Sequence, residues 1–384
     1  MKIAYFIDTV VPSKRANTVH VMKMCQAFQT LGCDTTLYCD MDAQNTPTDS
    51  ILERYAVTTP FSIERVQIGH FLRKHGHRFA LMVSAYKKSK QAKDFDVAYS
   101  RSAYALFFLK DRHKYILEVH TEPDRLNYQI EKKVISHENC IALVAISQAL
   151  KQRYLELFPS LKPDKIVVLH DCADDNSHLS TEKAVLENLP GSHPVRIGYI
   201  GHLYPGKCME VLTQVAVKTP SFTYHIVGGT DEWVQKWKAY CMEHGIRNFI
   251  FYGFVDNAKV GKYYRAFDIF VLPFSKRVSV GTTKTMDIGQ WISPLKLFEG
   301  MAYQKAMVVS ALPTIQEVLT NGQNAVLVEP DDIDGWVNAL TELAENPALR
   351  STLGSEAYRL FKEAYTWEKR AQAIIKILED NHYA

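Results

Sequence analysis

The chain has 384 residues, 47% hydrophobic and 23% charged, with a formal net charge of +3: a globular composition, long enough for two domains and too weakly charged to favour a nucleic-acid partner. Seven cysteines with no C-x-x-C pair suit reduced thiols and argue against a disulfide framework or zinc. The opening MKIAYFIDTVVPSKR has an apolar run too short for a secretion signal, and no stretch approaches the ~18 uncharged apolar residues of a membrane span, so the expected location is cytoplasmic.

In chain order, KIAYFID, TTLYC, DVAYS, YILEVH, IALVAIS and KIVVLH read as strands in the first half. VRIGYIG, TYHIVGG, NFIFYG, DIFVLP, AMVVS and AVLVE follow in the second. Between the first two strands, Val21, Met24, Cys25, Phe28 and Leu31 mark one helical face, which Gly32 ends. Strands alternating with helical patterns predict the α/β class: two facing, Rossmann-like doubly wound domains with an interdomain cleft. Ligands are then expected at the carboxyl ends of the strands. The polar stretch 174–194, broken by Pro and Gly, reads as the connection, which sets domains of 1–178 and 195–364 around a linker at 179–194. Residues 70–93 carry seven Lys or Arg and no acid, interleaved with Phe71, Leu72, Phe79, Leu81, Met82, Val83 and Tyr86. That pattern fits an ordinary basic surface helix or a peripheral contact with an anionic membrane face.

Two segments could carry chemistry. GYIGHLYPGKCMEVL (198–212) passes from a strand through a glycine turn to a helix, with His202 and Lys207 flanking the loop. This is a plausible phosphate cradle, or a solvated lysine at a turn. Gly228 and Gly229 mark a second strand-end turn. In WISPLKLFEGMA (291–302), Ser293 is expected to cap a helix whose first residue is Pro294, with Lys296 and Glu299 three apart on one edge. The free N–H groups of such a helix start can bind an anion, although a buried helix with a good cap would look the same.

Taken together, IGYIGHLYPGKCMEVL, FYGFVDNAKVGKYYRAFDIFVLPF, SPLKLFEGMAYQKAMVVSALPTIQEVL and YTWEKRAQAIIKIL resemble, in order and spacing, the family 4 retaining glycosyltransferases of the GT-B architecture. The resemblance covers nearly the whole chain. It implies transfer of a hexose from a nucleoside-diphosphate sugar to an acceptor hydroxyl, without metal or cofactor, with UDP the family's commonest nucleotide. The acceptor would be a saccharide, a lipid-linked sugar or another hydroxyl, as in polysaccharide, glycolipid or glycoconjugate synthesis. By the same resemblance Ser293 and the Leu295 N–H bond the diphosphate and Lys207 neutralises it. Glu299 holds the ribose, and Gly229 and Val255 meet the donor through backbone. His120 lies beside the transferred sugar, so His120 and Lys207 are the catalytic candidates. Asn17, His20 and Arg101 are acceptor-side candidates, and helix 365–384 packs back onto the first domain. Two positions depart from the family pattern. Trp291 stands where the first glutamate of a Glu-x7-Glu motif would fall, and His202 where an arginine would. A variant subset carries SPLKLFE in that place, with a longer loop before it. Lys276, Arg277, Lys284 and Asp287 in that loop are candidates for the missing grip on the sugar. The competing readings are a nucleotide-sugar epimerase on the same fold and a catalytically silent nucleotide-sugar-binding protein.

Overall fold

The computed structural model describes residues 1–13, 15–68, 77–125, 127–175, 182–280, 283–287 and 289–381. Its contacts divide the chain into two units, Met1–Asp171 with Trp367–Ala384, and Cys172–Thr366.

Unit 1 is built on a seven-stranded sheet. Its strands are β1 (Lys2–Val11), β2 (Asp34–Met41), β3 (Ser62–Val66), β4 (Val97–Ser100), β5 (Lys114–Val119), β6 (Cys140–Ala145) and β7 (Ile166–Val168). They lie in the order β3-β2-β1-β4-β5-β6-β7, all parallel. Strands β4, β5 and β6 are almost entirely buried, as expected for continuous apolar runs covered on both faces by helices. The one buried charge inside them is Glu118. The edge strand β3 was not expected: SIERV alternates exposed and part-buried positions and reads as polar surface. The helix Trp367–Asp380 belongs to this unit, where Trp367, Ile374 and Leu378 are buried.

Unit 2 has six parallel strands: β8 (Arg196–Ile200), β9 (Thr223–Val227), β10 (Phe249–Gly253), β11 (Ile269–Leu272) and, after a short antiparallel hairpin of β12 (Ser279–Val280) and β13 (Thr283–Asp287), β14 (Ala306–Ser310) and β15 (Val326–Val328). Their order is β10-β9-β8-β11-β14-β15. The hairpin falls in the long segment read from sequence as a loop.

One boundary differs from expectation. The chain passes between the units after Asp171 and after Thr366, and the described part of the expected linker is docked on unit 2. Ala184 N–H bonds Lys262 O at 3.0 Å, and His193 N–H bonds Ser221 O at 2.7 Å. Asn188 Oδ1 meets the buried His225 ring at 2.9 Å. Polar composition reads as linker, but here the polar groups are spent on unit 2: on the helix carrying Lys262, the turn at Ser221 and His225 of β9.

In each sheet the chain reverses its winding beside the first strand of the unit, at β1/β4 and at β8/β11. Such switch points open a crevice at the carboxyl ends, where ligands of doubly wound sheets bind.

Candidate active site

In unit 1 the switch point is lined by side chains from the ends of three strands. Asp8 follows the core of β1, Arg101 and Ser102 follow β4, and His120 follows β5. With Asn17, Asn127, Glu131 and Tyr154 they surround a cavity of about 260 Å³. Arg101 donates to Asn17 O at 3.2 Å, and Asn17 Nδ2 donates to Thr9 Oγ1 at 2.9 Å. Asn17 Oδ1 is buried and unpaired among the described residues. Asp8 accepts from Ser102 and pairs with the buried Lys88 at 3.1 Å.

Glu118 belongs to this wall beside His120, with its side chain fully buried. Its Oε2 accepts from Tyr99 and, at 2.9 Å, from Arg370 of the Trp367–Asp380 helix. Its Oε1 faces His120 Nε2 in a short hydrogen bond and His20 Nε2 at 2.8 Å. Burial alone would raise the Glu118 pKa, but Arg370 and then His20 outweigh it and hold the carboxyl well below its usual range. Burial, with Arg101 adding to it, pushes His120 down to about 4, so the ring is neutral at pH 7. Glu118 and Arg370 escaped the sequence reading. One signal was present: a glutamate inside the apolar YILEVH, two residues before His120 and so on the same strand face.

The structure corrects the expectation for His20. It is 1% exposed and does not line the cavity. Its Nδ1 meets Asp171 Oδ1 at 2.7 Å and its ring packs edge-on against Trp367 and His120. His20 therefore braces the site from behind rather than touching an acceptor. The nearest nitrogens and oxygen of His20, Glu118 and His120 lie within 4.8 Å of one another, the spacing of a three-ligand metal cluster. The donor set does not fit a cation. Glu118 already faces a guanidinium, His120 Nε2 is hydrogen-bonded to its Oε1, and His20 Nδ1 is taken by Asp171.

In unit 2 the loop after β8 is clamped. Gly206 has φ +78°, and a Cβ there would fall 2.0 Å from Arg277 O. Its N–H bonds Glu210 Oε1 at 3.0 Å, and Ser275 N–H bonds its carbonyl at 3.0 Å. At Gly228, φ +114°, a Cβ would lie 2.1 Å from Gly201 O, so this strand-end turn needs both the torsion and the space. Gly229 follows it at φ +80°. The clamp holds Lys207 with its ammonium 5.7 Å from the Phe274 ring centre, beyond the end of β11. No carboxylate pairs with Lys207 among the described residues, and burial lowers its pKa to about 8. His202 stacks on Tyr204 at 4.8 Å.

The helix after the hairpin runs Leu295–Ala302. Its cap residue is Pro294, which has no side-chain cap bond, and Ser293 lies one residue further out. The expected Ser293 cap is thus displaced by one position: the Pro294 ring sits in extended backbone at φ −80°, ψ 121°, and the helix opens after it. Leu295 is its first residue, as the phosphate reading requires. Both Glu299 oxygens meet Lys296 Nζ, at 2.7 and 2.9 Å. Trp291 and Val255 are half-buried. Lys276 pairs with Asp331 at the surface, so it is already engaged. The side chains of Lys284 and Asp287 lie outside the described residues, as do residues 69–76 of the basic stretch.

The profile described as "Glycosyl transferases group 1" matches residues 194–346, and that described as "Glycosyltransferase Family 4" matches residues 18–177. The chain belongs to the family 4 type of GT-B glycosyltransferases. It is 23% identical over 310 residues to an uncharacterized glycosyltransferase of Methanocaldococcus jannaschii, covering 74% of this chain and 75% of that one. A Haemophilus influenzae glycosyltransferase, also uncharacterized, is 28% identical over 246 residues, 62% of this chain and 61% of its own. Among solved structures, Anabaena HepE in complex with UDP and glucose superimposes with a TM-score of 0.73 at 15% identity over 99% of both chains. Sucrose-phosphate synthase from Thermosynechococcus elongatus gives 0.75 at 17% identity, again over 99% of both. These likenesses identify the glycosyltransferase fold. Among the described residues, no helix is long and apolar enough to cross a membrane.

Proposed function

We propose that this glycosyltransferase moves a hexose, with retention of configuration and without a metal, from a nucleoside-diphosphate sugar bound by unit 2 to a hydroxyl of an acceptor bound by unit 1. The observation that carries this reading is Lys207. It is a half-buried, desolvated ammonium with no acidic partner among the described residues, at the switch point of a doubly wound sheet that also presents the N-terminus of Leu295–Ala302 without a side-chain cap. A cation is left unneutralised in a protein interior when an anion is to complete it. Helix N–H groups and one lysine suit a diphosphate. The complex of HepE with UDP favours uridine as the nucleobase.

The demanding step is departure of the nucleoside diphosphate while the sugar carbon becomes cationic. Lys207 and the N–H groups at Leu295 stabilise the charge that develops on the leaving phosphate, an effect worth about 3–4 kcal/mol per such donor. The acceptor hydroxyl attacks from the same face, and its proton passes to the departing phosphate. The epimerase alternative needs carboxylates free to act at the sugar. Glu118 and Asp171 are instead committed to Arg370 and His20.

Incubation with a panel of nucleotide sugars tests the proposal. Slow hydrolysis with the anomeric configuration kept, unaffected by a chelator, is the expected result. Inversion at C2 would point to the epimerase, and binding without turnover to the silent protein.

We further propose that the acceptor is met at an anionic membrane face, in polysaccharide or glycolipid synthesis. On the helix His77–Gln91, Phe79 is 64% and Tyr86 49% exposed, and Lys90 lies 5.7 Å from the Tyr86 ring. Nearby, Lys110 and Lys133 lie within 6 Å of Phe107. Co-sedimentation with phosphatidylglycerol vesicles but not phosphatidylcholine vesicles, lost in Phe79→Ser/Tyr86→Ser, is the expected result.

A further inference from the structure

We propose that Glu118 is a positioning residue: it fixes the proton of His120 on Nε2, so that Nδ1 is presented to the cavity as a pure acceptor for one substrate hydroxyl. Four groups converge on this carboxylate: Tyr99 and Arg370 on one oxygen, His20 and His120 on the other. An ionised carboxylate only accepts hydrogen bonds, so a ring nitrogen hydrogen-bonded to it, as His120 Nε2 is, must donate. His120 Nε2 therefore carries a hydrogen. Burial keeps the ring neutral at pH 7, which leaves no second proton. Nδ1 is then a bare lone pair. It has no partner among the described residues, in a ring that lines the cavity.

The consequence is a statement about substrate class. A lone pair held in place binds O–H or N–H donors and repels phosphate or carboxylate. Asn17, whose Oδ1 is buried and unpaired among the described residues, lines the same cavity. His120 Nδ1 is thus set to receive a hydroxyl, as a sugar presents one, while the Arg101 guanidinium on the same cavity is left to donate to an oxygen. The low basicity of His120 suits hydrogen bonding and not proton abstraction. Arg370 completes the arrangement from the other end of the chain. It holds Glu118 at 2.9 Å, while its own Nε and Nη2 donate to His170 O at 2.9 Å and Leu169 O at 3.1 Å. The carboxylate is thereby pinned on both oxygens and cannot rotate away from the imidazole.

The contact with substrate rests on the glycosyl-transfer reading; the tautomer does not. Long-range ¹H–¹⁵N correlation spectra of the full-length protein report the two ring nitrogens separately, and the His120 signals are those lost in His120→Gln. In the wild type, Nε2 should be protonated and Nδ1 bare. In Glu118→Gln, Arg370 and Tyr99 keep the amide oxygen, so the amide NH₂ faces His120 and the ring proton moves to Nδ1. That reversal should lower kcat/KM by about 10- to 100-fold, because a donor then meets the substrate donor. A wild-type ring protonated on Nδ1, or on both nitrogens, overturns the proposal without any variant, which covers a Glu118→Gln protein that fails to fold. Activity lost with the tautomer unchanged would reduce Glu118 to a structural role and overturn it too. A reversed tautomer with unchanged kcat/KM would remove the substrate contact. If no donor is turned over yet the spectra are as expected, glycosyl transfer fails and the tautomer stands.

Discussion

The two switch points of this molecule treat charge in opposite ways. Around the unit 1 cavity the buried ionisable groups satisfy one another: Glu118 with Arg370, His20 and His120, and Lys88 with Asp8 and Asp40. What remains for a ligand is a bare imidazole nitrogen, amides and hydroxyls, with Arg101 the one cation among the lining residues. At the unit 2 loop, Lys207 is half-buried with no acid beside it among the described residues, and the helix at Leu295 has no side-chain cap. A site for sugar hydroxyls can close its charges internally, because its ligand brings none. A site for a diphosphate must leave a cation open and bear the desolvation cost until the ligand arrives.

The largest effect that could break this contrast is at Lys207. Lys207→Ala should lower turnover by about 10²–10³, the loss of roughly 3–4 kcal/mol of leaving-group stabilisation. Steady-state kinetics within threefold of wild type would remove the lysine from the chemistry. The unit 1 cavity would then be the better candidate for the charged ligand.

Glu299 comes next. Its carboxylate is partly used by Lys296, so a ribose must share it. The hydroxyls it would hold keep their geometry through the reaction, so Glu299→Gln should raise KM and leave kcat nearly unchanged. The expected loss is about 10- to 150-fold in affinity, from 1.5–3 kcal/mol for a charge-assisted bond. Calorimetry with UDP and 2′-deoxy-UDP on both proteins closes a double cycle. Simple addition of the two losses means Glu299 does not hold the ribose.

How much of this was readable before the structure depends on range. The parallel strands announced themselves through local apolar runs, and the unit 2 loops after β8 and β9 fell where Gly201, Gly228 and Gly229 suggested; no glycine marks the unit 1 switch point. The Lys207 loop needed only neighbours in sequence. The charge network around Glu118 could not be read in the same way, because its anchor, Arg370, is 252 positions away and sits in an otherwise ordinary amphipathic helix. His20 reads as a ligand contact because the family resemblance places the start of the first helix near the substrates. Only the packing of Asp171 and Trp367 against it shows otherwise. The hairpin at Ser279–Asp287 had no apolar alternation to betray it.

A third test probes the far wall of the unit 1 cavity. The Tyr154 hydroxyl lies 2.7 Å from Glu131 Oε2 and 3.1 Å from Thr121 O, and it has one proton for two acceptors. All three groups are satisfied only if Glu131 is itself protonated. Burial raises its pKa to about 7, and the Tyr154 bond pulls it back only in part. The folded-state value is above the ordinary 4.5, so this contribution to stability is complete below about pH 4.5 and is lost as pH rises through 7. Glu131→Gln carries no such proton. The stability of wild type relative to this variant should fall by about 2 kcal/mol from pH 5 to pH 8, read by urea unfolding at each pH. A pH-independent difference would mean that Glu131 is ionised, and the cavity less neutral than described.

The smallest effect returns to Lys207 and works through its proton. Burial lowers its pKa to about 8 in the free protein. A bound diphosphate supplies the missing counter-charge and raises it again, so binding near pH 8 takes up a proton. Affinity for UDP must then fall as pH rises, by roughly tenfold between pH 7.5 and 9, as the free ammonium is lost. The terminal phosphate titrates near pH 6 and is ionised throughout that range, so it adds no slope. Lys305 confuses the picture, because burial lowers its pKa to about 8 as well. Its ammonium donates to Phe267 O at 2.9 Å, and that interior bond would be present with or without ligand. Lys207→Arg separates the two: an arginine stays charged at pH 9, so only a slope due to Lys207 disappears. Calorimetry in two buffers of different ionisation enthalpy measures the proton directly. Equal heats for wild type in both buffers at pH 8, or a slope that survives Lys207→Arg, would show that the open cation of unit 2 is not what meets the diphosphate.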